Sequence, residues 1–265
     1  MSDPTPVFDD LRDESEELDR LVAGSSPHQW ALPTPAPHWT VAHQIAHLAW
    51  TDHSALLSVT DAGAFNGLVE KALQAPATFV DDGADEGARL PSAELLERWR
   101  TGRAALDRAL RASVPGTRFP WYGPPMSGAS MATGRLMETW AHGQDIADAL
   151  GVVRTPTDRL RHVVRIGVRT RDFAFGAHGL TAPAEEFRVE ILAPSGDLWT
   201  YGPEDAPQRV TAPALDFCLL VTQRANRADV AVTAEGPDAD RWLDIAQAFA
   251  GPPGDGRPPK QEDAE

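Results

Sequence analysis

Apolar residues recur three and four positions apart through most of the first 175 residues, and two positions apart only after position 186. That change of period predicts long helices first and a small mixed sheet afterwards. Phe8, Leu11, Leu18, Leu21 and Val22 mark an amphipathic helix over 7–23, stopped at Gly24-Ser25-Ser26-Pro27. Trp30 and Trp39 flank a connection too rich in proline for a helix or a central strand. Thr40 reads as the N-cap of a helix from Val41 to about Thr60, carrying Ile45, Leu48, Trp50, Leu56 and Leu57. A short helix over 62–73 follows, then a loop over 75–90. Ser92 caps a third long helix that runs to about Ala112 and ends at Pro115-Gly116.

The segment from Phe119 to Gly128 is both aromatic and rich in Pro and Gly, and it leads into a helix from about Ser130 to Leu150, closed by Gly151. A further helix is expected over 157–174. Phe187 to Ala193 and Leu198 to Tyr201 alternate around Pro194-Ser195-Gly196-Asp197, as a hairpin does. A weaker strand over 208–211, a helix over 213–224, a strand over 229–234 and a helix over 239–249 complete the series. The expected class is α+β: a helical-bundle domain over 1–180, a small α+β domain over 181–250, and a disordered tail over 251–265 rich in Pro, Gly and charge.

Composition changes this picture little. The chain has 265 residues, 42% hydrophobic and 24% charged, which is ordinary for a soluble globular protein. Its 39 acidic and 24 basic residues leave a net charge of −15, unfavourable for a phosphate backbone, so nucleic acid is not an expected partner. No apolar run approaches a membrane span, and the first ten residues lack the pattern of a signal peptide, so a cytoplasmic location is expected. Cys218 is the single cysteine; it lies in an apolar segment and reads as an inert buried thiol rather than a nucleophile.

The candidate chemistry lies on the 130–150 helix. Glu138 and His142 stand one turn apart, and Asp145 returns to nearly the same line among Leu136, Met137, Trp140 and Ile146. A carboxylate and an imidazole turned towards a core need a partner. The 41–60 helix offers His43 and His47, again four apart. His47 with Glu138 and His142 would form a His₂Glu set of the kind that binds zinc and leaves an open position. By spacing His43 is a possible fourth ligand, and Asp145 fits better as a carboxylate that orients a ligating histidine. Asp52 and His53 lie off the His43/His47 line. Trp121, Tyr122 and Met126 either line a site beside these helices or plug one end of the bundle.

Trp39-Thr-Val-Ala-His-Gln-Ile-Ala-His47-Leu-Ala, followed by Leu136-Met-Glu-Thr-Trp-Ala-His-Gly-Gln-Asp-Ile, resembles the mycothiol-dependent maleylpyruvate isomerase group of the DinB-like superfamily of metal-binding four-helix bundles. The resemblance implies His47, Glu138 and His142 as metal ligands, with His43 outside the set. It extends to Asp216-Phe-Cys-Leu-Leu-Val-Thr-Gln-Arg224, which looks like the family's C-terminal helix, and makes Arg224 the arginine that faces the active site. It further implies a divalent metal, zinc, and a low-molecular-weight thiol such as mycothiol as co-substrate. The reaction would be S-transfer to, or cis–trans isomerisation of, a small electrophilic acid, with Arg224, Trp121 and Tyr122 contacting substrate or thiol. The alternatives are a non-catalytic binder of metal or small molecules, and a thiol-independent hydrolase or cyclase. A small-molecule substrate and a small thiol are the partners implied; a homodimer is left open.

Overall fold

The computed structural model describes residues 5–254 and 256–260. These form two compact units, the first ending at Arg154 and the second beginning at Thr155. The first contains α1 (Thr5–Val22), α2 (Pro27–Trp30), α3 (Val41–Thr60), α4 (Ala62–Gln74), α5 (Phe79–Ala88), α6 (Ser92–Ala112) and α7 (Gly128–Leu150). Between α6 and α7 lies a minimal hairpin of β1 (Arg118–Phe119) and β2 (Met126–Ser127). Helices α1, α3, α6 and α7 make the bundle, with α3 packed on both α6 and α7, and α1 on α7. Its core includes Leu18, Val22, Ile45, Leu48, Leu95, Trp99 and Ile146. Burying each such side chain contributes roughly 1.5–3 kcal/mol.

Polar groups in this core are paired across helices. Asp52 of α3 accepts from Arg135 Nε of α7 at 2.8 Å and from Trp99 Nε1 of α6 at 3.2 Å. Asp19 of α1 accepts from Arg100 Nε at 2.8 Å and also binds Arg103, both on α6. Arg154 joins the end of the unit to α1 through Glu14 and Glu17, and donates to the Trp140 carbonyl at 3.0 Å.

The expected loop over 75–90 is largely α5. Asp81 and Asp82 lie in its first turn, where acids suit the helix dipole, and its glycines allow it to lie flush on α3. A Cβ at Gly87 would come within 2.7 Å of Ala46 Cβ, and one at Gly83 within 2.9 Å of the Trp50 ring. Ser92 is the first residue of α6 rather than its cap, Pro91 taking that position.

The second unit holds α8 (Leu160–Arg169), α9 (Arg171–Ala177), β3 (Arg188–Leu192), β4 (Leu198–Tyr201), β5 (Arg209–Pro213), α10 (Ala214–Val221), β6 (Thr233–Glu235) and α11 (Pro237–Ile245). The sheet order is β4-β3-β5-β6, with β3 and β5 parallel and the other pairs antiparallel. Gly202 makes the return from β4 possible, because at φ 74° a Cβ there would lie 2.1 Å from the Phe187 carbonyl oxygen. Phe187, Val189, Ile191, Val210, Phe217 and Trp242 are buried as its core.

The helix expected over 157–174 breaks at Thr170, whose hydroxyl bonds back to the Ile166 carbonyl. Both parts belong to the second unit: α9 packs on α11, and α8 packs on α10 so closely that a Cβ at Gly167 would meet Val221 at 2.8 Å. The units therefore divide ahead of both α8 and α9, between 154 and 155, rather than at 180. The helix expected over 213–224 stops at Val221, the 229–234 strand is a 3-10 turn over 227–229 followed by β6, and the last helix spans 237–245. Part of the expected disordered tail is tied down: Asn226 donates to the Arg257 carbonyl and the Lys260 N–H to Asp229. Residues 255 and 261–265 of that tail lie outside the described residues. Cys218 is fully buried, and burial pushes its thiol well above its usual range, as an inert core cysteine requires.

Candidate metal centre

Helices α3 and α7 bring His47, Glu138 and His142 together. One ligand-capable atom from each lies within 4.8 Å of the other two. Glu138 Oε2 is 3.1 Å from His142 Nε2 and 3.4 Å from His47 Nε2, and the two imidazole centroids are 4.5 Å apart. Both histidines are buried and Glu138 is half-buried. Burial acts to raise the Glu138 carboxyl, but hydrogen bonds and charge from His142 and His47 outweigh it and hold the group well below the usual carboxylate range.

The protonation of His142 follows from a chain of hydrogen bonds. The Thr34 hydroxyl donates to the Trp39 carbonyl at 2.8 Å, so its oxygen accepts from Gln44 Nε2, also at 2.8 Å. That orients the Gln44 carbonyl oxygen towards His142 Nδ1 at 2.5 Å, and Nδ1 must carry the proton. In a neutral ring Nε2 then presents a lone pair to the Glu138 carboxylate. Two electron-rich atoms at 3.1 Å require a cation between them, either a second ring proton or a metal ion. His47 Nδ1 is buried with no hydrogen-bond partner among the described residues.

His43 is spent elsewhere. Its Nδ1 accepts from the Thr40 N–H at 3.2 Å and lies 2.7 Å from the Thr40 hydroxyl, while Nε2 faces Asp85 at 3.2 Å. It closes the start of α3 as a capping group. Asp145 is buried on α7, and the atom that meets the outer nitrogen of His142 is Gln44 Oε1 rather than a carboxylate oxygen. Asp52 is committed to Arg135 and Trp99, and His53 is exposed.

Aromatic rings enclose the cluster. Trp39 stacks on His142 at 5.8 Å and tilts against His47 at 5.1 Å, with its Nε1 bonded to Asp81 of α5. Trp50 lies 6.0 Å from His47 and leads through Phe79 to Tyr122, which contacts both Phe65 and Trp121. Trp121 stacks on Phe65 at 5.6 Å, and the Tyr122 hydroxyl donates to Ser54 at 3.4 Å. Burial raises the Tyr122 phenol, so it stays protonated at neutral pH. Tyr122 and Trp121 thus sit at the far end of an aromatic run that begins at His47. Arg224 follows α10 in the second unit, with its guanidinium donating to the Thr222 carbonyl at 2.7 Å.

Sequence reasoning missed Gln44, Thr34 and Trp50 as parts of the site. Gln44 had a usable signal: it lies three residues before His47, on the same face of α3.

The first unit is thus a helical bundle in which two histidines and a glutamate converge from facing helices, and the second is a small α+β domain. The family model described as the mycothiol maleylpyruvate isomerase N-terminal domain matches residues 11–147, more than half of the chain, and the chain belongs to that family. A second model, described as wyosine base formation, matches residues 183–235. Uncharacterized proteins from two strains of Mycobacterium tuberculosis are each 58% identical over 257 residues, covering 97% of this chain and 100% of theirs. The crystal structure of the mycothiol-dependent maleylpyruvate isomerase superimposes with a TM-score of 0.60 at 17% identity, covering 90% of this chain and 96% of that one. A His-to-Ala variant of that enzyme gives 0.60 at 16%. At such identities the likeness concerns the fold. Among the described residues, no helix is long and apolar enough to cross a membrane.

Proposed function

We propose that this chain is a divalent-metal enzyme that works with a low-molecular-weight thiol, as an isomerase or S-transferase acting on a small electrophilic acid. The observation that carries the reading is the convergence of His47 Nε2, Glu138 Oε2 and His142 Nε2 on one point, with Gln44 Oε1 placed to accept from His142 Nδ1. Two imidazoles and one carboxylate suit zinc, and three protein ligands leave a position open. Bound there, the ion would supply positive charge that keeps a thiol as thiolate, its reactive form.

The chain's own residues then have separable tasks. His47, Glu138 and His142 are the ligands, and Gln44 holds the His142 ring in its ligating orientation. Trp39 and Trp50 cover the imidazoles and limit water. Trp121 and Tyr122, at the far end of the aromatic run, contact the organic body of the substrate. The thiolate adds to an activated C=C, forming a C–S bond while the π pair moves towards the conjugated carbonyl. Rotation about the new single bond and expulsion of the thiolate give the isomer. Uptake of a proton from solvent instead gives the conjugate.

The family's name supplies the first probes, mycothiol and maleylpyruvate. Turnover is expected only when metal-loaded protein and thiol are both present, and it is lost after chelation. Turnover that ignores the thiol contradicts the proposal and favours a metal-dependent hydrolase or cyclase. Stoichiometric metal with no turnover of maleylpyruvate or other activated electrophiles favours a binding protein.

A further inference from the structure

The second unit carries a concave, cationic face outside the site described above. Arg161, Arg165 and Arg169 recur at four-residue intervals on α8, so they stand on one stripe about 12 Å long. The opposite face of α8 is fixed by burial of Leu160, Val163, Val164 and Gly167. The three guanidiniums border a groove of about 680 Å³, completed by His162 and by Trp199, Thr200 and Tyr201 of β4.

Three features separate this groove from an ordinary solvated helix face. First, the chain carries a net charge of −15, and elsewhere its arginines typically pair with carboxylates, as do Arg100, Arg135, Arg154, Arg188, Arg209 and Arg227. No carboxylate forms an ion pair with Arg161, Arg165 or Arg169 among the described residues. Second, the wall opposite is aromatic: the Arg161 guanidinium lies 5.2 Å from the Trp199 ring centroid, and Trp199 Nε1 has no hydrogen-bond partner among the described residues. Third, neutral donors border the cations. Burial raises the Tyr201 phenol more than Arg165 and Arg161 lower it, so its hydroxyl remains a donor at neutral pH. Thr200 adds a second hydroxyl.

We infer that this groove binds a small molecule bearing a di- or polyphosphate. Guanidinium forks match phosphate oxygens two at a time, and adjacent phosphates can engage successive turns of one helix. A nucleotide and an inorganic polyphosphate share this chemistry. The aromatic wall adds a contact that only the nucleotide uses.

The test titrates the full-length protein with ADP, inorganic pyrophosphate and adenosine at fixed ionic strength, reading heat of binding and tryptophan fluorescence. A poly-glutamate peptide serves as the anion control. ADP or pyrophosphate should saturate at one equivalent, and the double variant Arg161→Gln/Arg165→Gln should weaken binding at least about tenfold. ADP tighter than pyrophosphate identifies the nucleotide; equal affinity identifies the phosphate chain alone. Either supports the groove, because adenosine should not bind in either case. Absence of saturable phosphate binding, unchanged affinity in the double variant, or equal binding of poly-glutamate overturns it. Circular dichroism and metal content of the variant should match wild type, so loss of fold and loss of the groove are told apart. Failure here leaves the proposed enzymatic function untouched, since none of these residues belongs to its machinery.

Discussion

Gln44 Oε1 lies 2.5 Å from His142 Nδ1, and the Thr34–Trp39 hydrogen bond behind it determines which way the amide faces. A residue on α3 that touches no proposed metal position therefore decides what a residue on α7 can do. Gln44→Ala should weaken metal binding roughly 10–100-fold, as loss of an outer hydrogen bond to a ligating histidine commonly does. Gln44→Glu, which keeps an acceptor oxygen, should recover much of the loss. Competition with a chromophoric chelator measures both, and equal affinities for wild type and Gln44→Ala would remove Gln44 from the account.

The buried Asp52–Arg135 pair predicts a stability effect. Both side chains are nearly inaccessible, and Trp99 Nε1 also donates to Asp52. Asp52→Ala leaves a guanidinium buried without its counter-charge, which should cost about 3–5 kcal/mol. Replacing both, as Asp52→Leu/Arg135→Met, should cost clearly less. Urea unfolding of the single and double variants checks this, and a double variant as unstable as the sum of the two singles would contradict the pairing.

Asp19 predicts an acid-side effect. The hydrogen bond from Arg100 and the charges of Arg103 and Arg100 lower its carboxyl against the opposing effect of burial. The two guanidiniums respond differently: Arg100, more exposed, is raised chiefly by the Asp19 hydrogen bond, whereas burial lowers Arg103. A depressed carboxyl stabilises the fold in full above the unfolded value of about 3.9 and loses that contribution as pH falls through the folded one. Asp19→Asn should therefore destabilise by about 1.5–3 kcal/mol at pH 7. The gap between variant and wild type should narrow only below about pH 4. A gap that instead changes between pH 5 and 8 would point to another group.

How much of this was legible in sequence depended on the range of the interaction. Helical spacing alone puts Glu138 beside His142 and turns His47 towards a core. The bundle followed by a mixed sheet follows from the change in hydrophobic period. Helix α5 was hidden because Asp81, Asp82, Gly83 and Gly87 read locally as a loop, whereas the glycines permit close approach to Trp50 and Ala46 on α3. His43 caps its own helix through nearby Thr40, but the commitment of its second nitrogen needed Asp85 from that same helix. Gln44 needed Thr34 and Trp39, brought within reach by the Pro33–Thr40 bridge. The contacts of α5, of His43 with Asp85 and of Gln44 with Thr34 depend on how separate segments pack, which no local period encodes.

Close packing of α8 on α10 gives a separate prediction for the second unit. Gly167→Ala places a methyl group 2.8 Å from Val221 and 3.1 Å from Phe217, and should cost about 1–3 kcal/mol by overpacking. Thermal unfolding measures it, and an unchanged midpoint would mean that the two helices are less tightly apposed.

Metal analysis of the purified protein tests the central claim most directly. After loading with zinc and removal of excess, wild type should hold one equivalent per chain. His47→Ala should hold far less while keeping its helical circular dichroism, because the ligand set drops from three side chains to two. Full occupancy in the His47→Ala protein would contradict the assignment of His47, Glu138 and His142 as a shared metal site.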